Sequence, residues 1–255
     1  MPASSNFQAA IREAQSSALI GPNVVNKALP YVGGGMVLTA CGVLGGMSLL
    51  SSGSPIYMPL FWIALIGNFV LFFVAQNVAM KGNTSTALPL LSAYSLITGF
   101  TLSGLVSYAI VSIGASNPAN PYAGVGAVGT AALSTGLTFV IASFVGSRMS
   151  DSVGQALGGV VGLGLVGLII AMVVQLIGGI FTGGSFGGGG FELMIAGFGT
   201  VLFVAMSFVD FYTMPRRYND EQYLAGALGM YLTYINLFVF VLRLIIALQG
   251  GGRRD

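Results

Sequence analysis

The chain has 255 residues, of which 55% are hydrophobic and only 6% charged, with a net charge of +2 and a mean hydropathy of +0.89. A soluble domain carries about 25% charged residues, so the composition points to a bilayer as solvent and gives no basic footprint for nucleic acid. Histidine is absent, which removes the commonest general base and the commonest metal ligand together.

Residues 1–27 read as an N-terminal segment of their own. They contain Arg12, Glu13 and Lys27 and no continuous apolar core, so no signal peptide is evident. Phe7, Ile11, Ala14 and Ala18 recur at helical spacing before Gly21-Pro22, which fits a short surface helix over 6–20 and equally a loose tail. Residues 28–248 then carry seven apolar segments, near 28–50, 56–80, 87–114, 123–146, 154–181, 190–212 and 222–248. Each reaches the ~20 residues needed to cross the hydrocarbon core. Breaks separate the first six: Ser51 to Pro55, Lys81-Gly82-Asn83, Asn117 to Pro121, Ser150-Asp151-Ser152 and the glycine-rich run 183–190. Residues 249–255 form a short tail. The expected fold is an all-α membrane protein, a bundle of seven transmembrane helices.

Charge alternates between the connections. The N-terminal segment and the second, fourth and sixth connections carry Lys27, Lys81, Arg148, and Arg216 with Arg217, whereas the first, third and fifth are uncharged. By the positive-inside rule the N-terminus is cytoplasmic, and Arg216 and Arg217 form a cytoplasmic basic loop. Seven crossings put the C-terminus outside. Arg253 and Arg254 count against that, and a last segment that fails to cross is the alternative.

Three ionisable residues fall in or at the edge of the spans: Glu192, Asp210 and Arg243. A charge in the bilayer costs at least ~2.5 kcal/mol, so each is a site candidate. The sixth segment runs inward and the seventh back out, so Glu192 and Arg243 both come near the outer face, given a rise of about 1.5 Å per residue. They either form an ion pair there or snorkel separately to headgroups. Asp210 reads as an interfacial acid balancing Arg216 and Arg217, or as a pH-sensing gate acid at the cytoplasmic end of a pathway. In the last segment Gly226, Gly229, Thr233, Asn236 and Arg243 share one face, opposite Leu228, Tyr231, Ile235 and Leu242. A small, polar stripe faces protein or water, which places this helix at the centre and makes Thr233 and Asn236 path-lining residues.

The remaining features read as packing. Gly154, Gly158 and Gly162 recur every fourth residue, a ridge for close helix contact within the bundle or, alternatively, a homodimer seam. Cys41, the one cysteine, reads as a small packing residue. Catalysis finds no support. A serine–histidine dyad is impossible without histidine, no intramembrane aspartate pair occupies separate spans, and no phosphate-binding loop ends in Gly-Lys-Ser/Thr. No cofactor or metal site is expected.

The stretch GALGMYLTYINLFVFVLRLI at 226–245 resembles the closing signature of the Bax inhibitor/YccA family. FVDFYTMPRRYNDEQYL at 208–224, LPLLSAYSLITGFTLSG at 88–104 and AALSTGLTFVIAS at 131–143 resemble the same family's sixth, third and fourth spans. The resemblance implies seven helices with the last wrapped by the other six. It also implies, for some members, a pH-sensitive calcium leak latched by two aspartates and an arginine of the second span. Asp210 matches the first aspartate, the second falls at Thr233, and the segment 55–80 has no arginine. The bacterial YccA branch is similar in lacking the second acid and in its Arg-Asp tail, and implies association with the membrane protease FtsH. The resulting expectation is a multi-pass protein of the bacterial inner membrane, a calcium-type cation leak gated by Asp210. The alternative is a non-transporting modulator of an FtsH-like protease, gripping it through residues 1–27 and the glycine-rich outer loop.

Overall fold

The computed structural model describes residues 19–182 and 188–250. Over them the chain forms seven helices: α1 (Val24–Ser51), α2 (Tyr57–Met80), α3 (Thr84–Ser116), α4 (Ala123–Gly146), α5 (Asp151–Thr182), α6 (Gly188–Arg217) and α7 (Tyr223–Gly250). All seven are long and apolar enough to cross a membrane, the last included. The surface helix expected over 6–20 and the Arg253-Arg254 tail lie, almost wholly and wholly, outside the described residues.

Helix ends follow local chemistry. Gly82 adopts φ +70°, and Asn83 then caps α3 by accepting a hydrogen bond from the Thr86 N–H. α1 begins four residues before the expected boundary because the α6–α7 connection clamps it. Asp220 accepts from the Asn23 backbone N–H at 3.0 Å and from its side-chain amide at 3.2 Å, and Lys27 donates to the Asp220 carbonyl. α6 runs past the expected end at 212, through Pro215 to Arg217. Arg216 and Arg217 therefore sit on the last turn of a helix rather than in a loop. The Pro215 carbonyl accepts from the Ile20 and Gly21 N–H groups, which docks the chain entering α1 onto the end of α6.

Backbones meet closely where glycines permit. A Cβ at Gly42 of α1 would strike the Leu96 carbonyl of α3, and one at Gly99 of α3 would strike the Thr39 carbonyl of α1. Gly124 meets Ile110 between α4 and α3, and Gly146 meets Phe208 between α4 and α6. In lipid, where hydrophobic burial does not drive association, such contacts supply van der Waals packing. The Gly154 ridge is split. Gly154 lies against the Tyr212 ring and Gly158 touches Val209 of α6 at 3.7 Å, but nothing lies within 4 Å of a Cβ at Gly162. Positions four apart drift about 40° around a helix, so the third leaves the seam. Cys41 is exposed on α1, not packed in the bundle as its apolar neighbours suggested.

α7 is central. It packs against α6, α1, α4, α3 and α2, while α5 packs chiefly on α6, so the wrapping is less even than the family resemblance implied. Three apolar clusters fill the interior and α7 enters each. It contributes Leu228 and Tyr231 to the largest, Leu237 and Phe240 to the α5–α6 cluster, and Leu242 to the third, beside Val106 and Ala131. The side opposite its polar stripe is thus as buried as a core helix should be.

Candidate functional site between α5, α6 and α7

Because α5 leans on α6 rather than on α7, a cleft of about 820 Å³ opens among the three helices. Gly226, Gly229, Thr233 and Asn236, four of the five residues of the α7 stripe, line it. Asp210 and Thr213 face them from α6, and Gln155 and Gly158 from α5. Phe203, Met206, Met172 and Leu168 make the apolar wall. At about 1.5 Å per residue, Asp210 lies about 10 Å along α6 from Arg217, and the α7 lining from Gly226 to Phe240 runs about 21 Å.

Asp210 lies beside the Thr233 side chain, and its Oδ2 is buried without a hydrogen-bond partner. It does not balance the arginines that follow it. Among the described residues the ion pairs are Arg216–Asp151 and Arg243–Glu192. Arg216 reaches Asp151 Oδ1 at 3.1 Å through one terminal nitrogen, donates to the Tyr212 carbonyl through the other, and lies 4.1 Å over the Tyr212 ring. Tyr212 in turn donates to Asp151 Oδ1 at 3.0 Å. This clasp joins the first residue of α5 to the last turn of α6, an acid at a helix N-terminus and a cation at a C-terminus, where the dipoles favour each. It stands at the mouth of the cleft. Arg217 turns aside over the Tyr218 ring, 5.6 Å from its centroid.

Toward the other end of the cleft Phe203 stacks on Phe240, with centroids 5.4 Å apart. Beyond them Arg243 donates to both oxygens of Glu192, Nε to Oε1 at 2.8 Å and a terminal nitrogen to Oε2 at 2.9 Å. Gln175 of α5 donates to Oε2 at 2.8 Å, and the Arg243 guanidinium lies 5.4 Å from the Phe240 ring centroid. The structure therefore brings Glu192 and Arg243 together at one end and Asp210, Thr233 and Asn236 in the cleft. Along α6 and α7 the stacked Phe203 and Phe240 rings lie between the two groups.

Asp151, Tyr212, Gln155 and Gln175 were not singled out in the sequence. Asp151 carried a signal, as an acid within the break just before an apolar segment, where a helix N-terminus favours one. The others depend on how α5 is rotated against α6. On the opposite side of α7 a hydroxyl network also went unread. Tyr231 and Thr39 share a 2.6 Å hydrogen bond, Thr39 reaches the Ser95 carbonyl, and Asn68 donates to Thr98 at 2.9 Å. Among the described residues no group of three or more His, Cys, Asp or Glu could hold a metal ion.

The family model for "Inhibitor of apoptosis-promoting Bax1" matches residues 21–250, that is, the whole helical bundle. The chain belongs to the Bax inhibitor/YccA family. It is 30% identical over 213 residues to the uncharacterized protein YrjE of Lactococcus lactis subsp. lactis, covering 81% of this chain and 79% of the relative. It is 28% identical over 204 residues to an uncharacterized membrane protein of Streptococcus pyogenes serotype M1, covering 77% of this chain and 76% of the relative. A shorter match, 36% identical over 60 residues, joins it to Bax inhibitor 1 of Schizosaccharomyces pombe, over 24% of this chain and 23% of that one. It is a multi-pass bacterial membrane protein of the Bax inhibitor kind. Against the Bax inhibitor latch implied by the resemblance, Thr233 of this chain stands beside Asp210, and the arginine nearest the cleft mouth, Arg216, comes from α6 and is held by Asp151.

Proposed function

We propose that the cleft between α5, α6 and α7 is a cation leak pathway, with Asp210 as its gate acid and Thr233 and Asn236 lining it. Calcium is the ion suggested by the family. The observation that carries the reading is the Asp210 carboxyl: one oxygen is buried and unpartnered in a cleft of about 820 Å³. A buried polar atom without a partner is costly, and its retention marks function more readily than packing. Few oxygens meet there, which suits passage rather than storage, because a stable calcium site takes 6–8 oxygen ligands. Phe203 and Phe240 then represent the closed gate. The proposed setting is the bacterial inner membrane with the N-terminus and the Arg216–Asp151 clasp on the cytoplasmic side, on the strength of Lys27, Lys81, Arg148, Arg216 and Arg217 at one end of the bundle.

Calcium entry into dye-loaded proteoliposomes tests this. A carboxylate attracts a cation and a neutral acid does not, so the flux rises with pH between 5 and 8. Asp210→Asn lowers it about tenfold, a barrier change of about 1.4 kcal/mol, and flattens the pH response. No flux at any pH in that range refutes the leak. The alternative, a non-transporting modulator of an FtsH-like protease, assigns its contacts to residues 1–27 and 183–190, most of which lie outside the described residues. Crosslinking from the N-terminal segment in native membranes would retrieve the protease in that case.

A further inference from the structure

We infer that the α5–α6–α7 cleft is also a binding site for a lipophilic organic cation, an apolar molecule bearing one positive charge or charged amine, held by Asp210. The inference rests on the polarity of the cleft and does not require that anything pass through it.

Around Asp210 the nearest polar lining of α6 and α7, Thr213, Thr233 and Asn236, offers acceptor oxygens. The Asn236 amide nitrogen is already donated to the Leu232 carbonyl at 2.9 Å, which leaves the amide oxygen free of that bond. The Thr213 hydroxyl is donated to the Val209 carbonyl at 2.8 Å, which leaves its lone pairs. Asp210 Oδ2 is buried without a partner. The two arginines of the lining are engaged elsewhere: Arg216 is paired with Asp151 and Arg217 lies over Tyr218. An anion beside this group would face the Asp210 carboxyl, and a neutral hydrocarbon would leave Asp210 Oδ2 unsatisfied. A cation or N–H donor completes it.

The rest of the lining fits the apolar body of such a ligand. Met172, Met206, Met214 and Met230 line the cleft, and methionine side chains are flexible and polarizable enough to follow an irregular shape. Phe203 and Phe240 offer aromatic faces in the cleft, favourable for an organic cation. The volume falls within the ~300–1,000 Å³ typical of small-molecule sites. On the α5 side the rim is formed by Ile169 and Met172, 59% and 39% exposed, so a membrane-dissolved ligand enters sideways from the acyl-chain region.

Equilibrium dialysis of the purified full-length protein in detergent micelles tests the site, using tetraphenylphosphonium and tetraphenylborate, ions of one shape and opposite charge. The expected result is saturable one-site binding of the phosphonium, with the borate at least about tenfold weaker, a difference of about 1.4 kcal/mol. Asp210→Asn weakens phosphonium binding by a similar factor. A second variant guards against misfolding of the first. A Cβ at Gly229 meets nothing within 4 Å and Gly229 lines the cleft, so Gly229→Leu intrudes on the space beside Asp210 and weakens binding at least about tenfold. Gly45→Leu, equally open but on α1 and away from the cleft, binds as the parent does. Equal affinity for the two ions, binding that never saturates, or binding unchanged in both Asp210→Asn and Gly229→Leu overturns the inference. The assay contains no gradient and no calcium, so its failure and the failure of the leak are separate results.

Discussion

Replacing Gly42 by alanine should destabilise the bundle, whereas the same change three residues later should not. The Cβ added at Gly42 meets the Leu96 carbonyl, the Phe100 nitrogen at 2.9 Å and the Gly99 Cα at 3.0 Å. All three are backbone atoms of a helix, so no side chain can swing away, and α1 and α3 must separate. Overpacking of this kind costs about 1–3 kcal/mol, while alanine returns about 1 kcal/mol of helix propensity. The separation also loosens the Thr39–Ser95 and Thr39–Tyr231 hydrogen bonds that tie both helices to α7. At Gly45 nothing lies within 4 Å, so only the propensity gain of about 1 kcal/mol remains. The two variants should therefore differ by about 1–3 kcal/mol, a gap of about 2–12 °C at about 2–4 °C per kcal/mol for a chain of this size. Thermal denaturation in detergent, followed by loss of the monodisperse size-exclusion peak, measures it. Equal melting temperatures for Gly42→Ala and Gly45→Ala would refute the close approach of α1 and α3.

Three further outcomes follow from the site. In a double-mutant cycle of Glu192→Gln and Arg243→Gln, read by unfolding in mixed micelles, the coupling should be about 1–2 kcal/mol. That is below a fully buried pair, because the Glu192 and Arg243 side chains are 33% and 17% exposed. Asp151→Asn frees Arg216 and Tyr212 at the mouth of the cleft. It should cost no more than about 1 kcal/mol of stability and, by leaving the Arg216 charge unpaired beside the path, lower the liposome leak about fivefold, equivalent to a barrier higher by about 1 kcal/mol. Gly229→Leu should reduce the leak together with phosphonium binding while leaving the melting temperature within about 2 °C of the parent, since the new side chain enters open space.

The spans and the shared level of Glu192 and Arg243 could be read without coordinates, because hydrocarbon thickness and helical rise are one-dimensional rules. Glu192 and Arg243 were expected at one level on that ground, and their charged groups meet at 2.8 Å. Rotation was harder. The α7 stripe could be drawn on a helical wheel, yet which helices faced it depended on α5 leaning on α6, and α5 is too uniformly apolar and glycine-rich to announce a face. The same blindness hid Asp151 as the partner of Arg216. The end of α6 was placed too early, at 212. Pro215 lies so near the C-terminus of the helix that few backbone bonds are lost, and its carbonyl is used by Ile20 and Gly21. Cys41 was misjudged because an apolar neighbourhood in a membrane chain means lipid as readily as core.

Thiol accessibility asks most directly whether Asp210 and the α7 stripe line an open cleft or pack dry. In a Cys41→Ala background, Asn236→Cys should react with a cationic methanethiosulfonate, faster than with an anionic one of similar size, and Gly229→Leu should suppress the reaction. Leu237→Cys, one residue along at a fully buried position outside the cleft, should stay inert. Reaction at position 236 as slow as at 237, or insensitive to reagent charge, would contradict an acceptor-lined cation path beside α7.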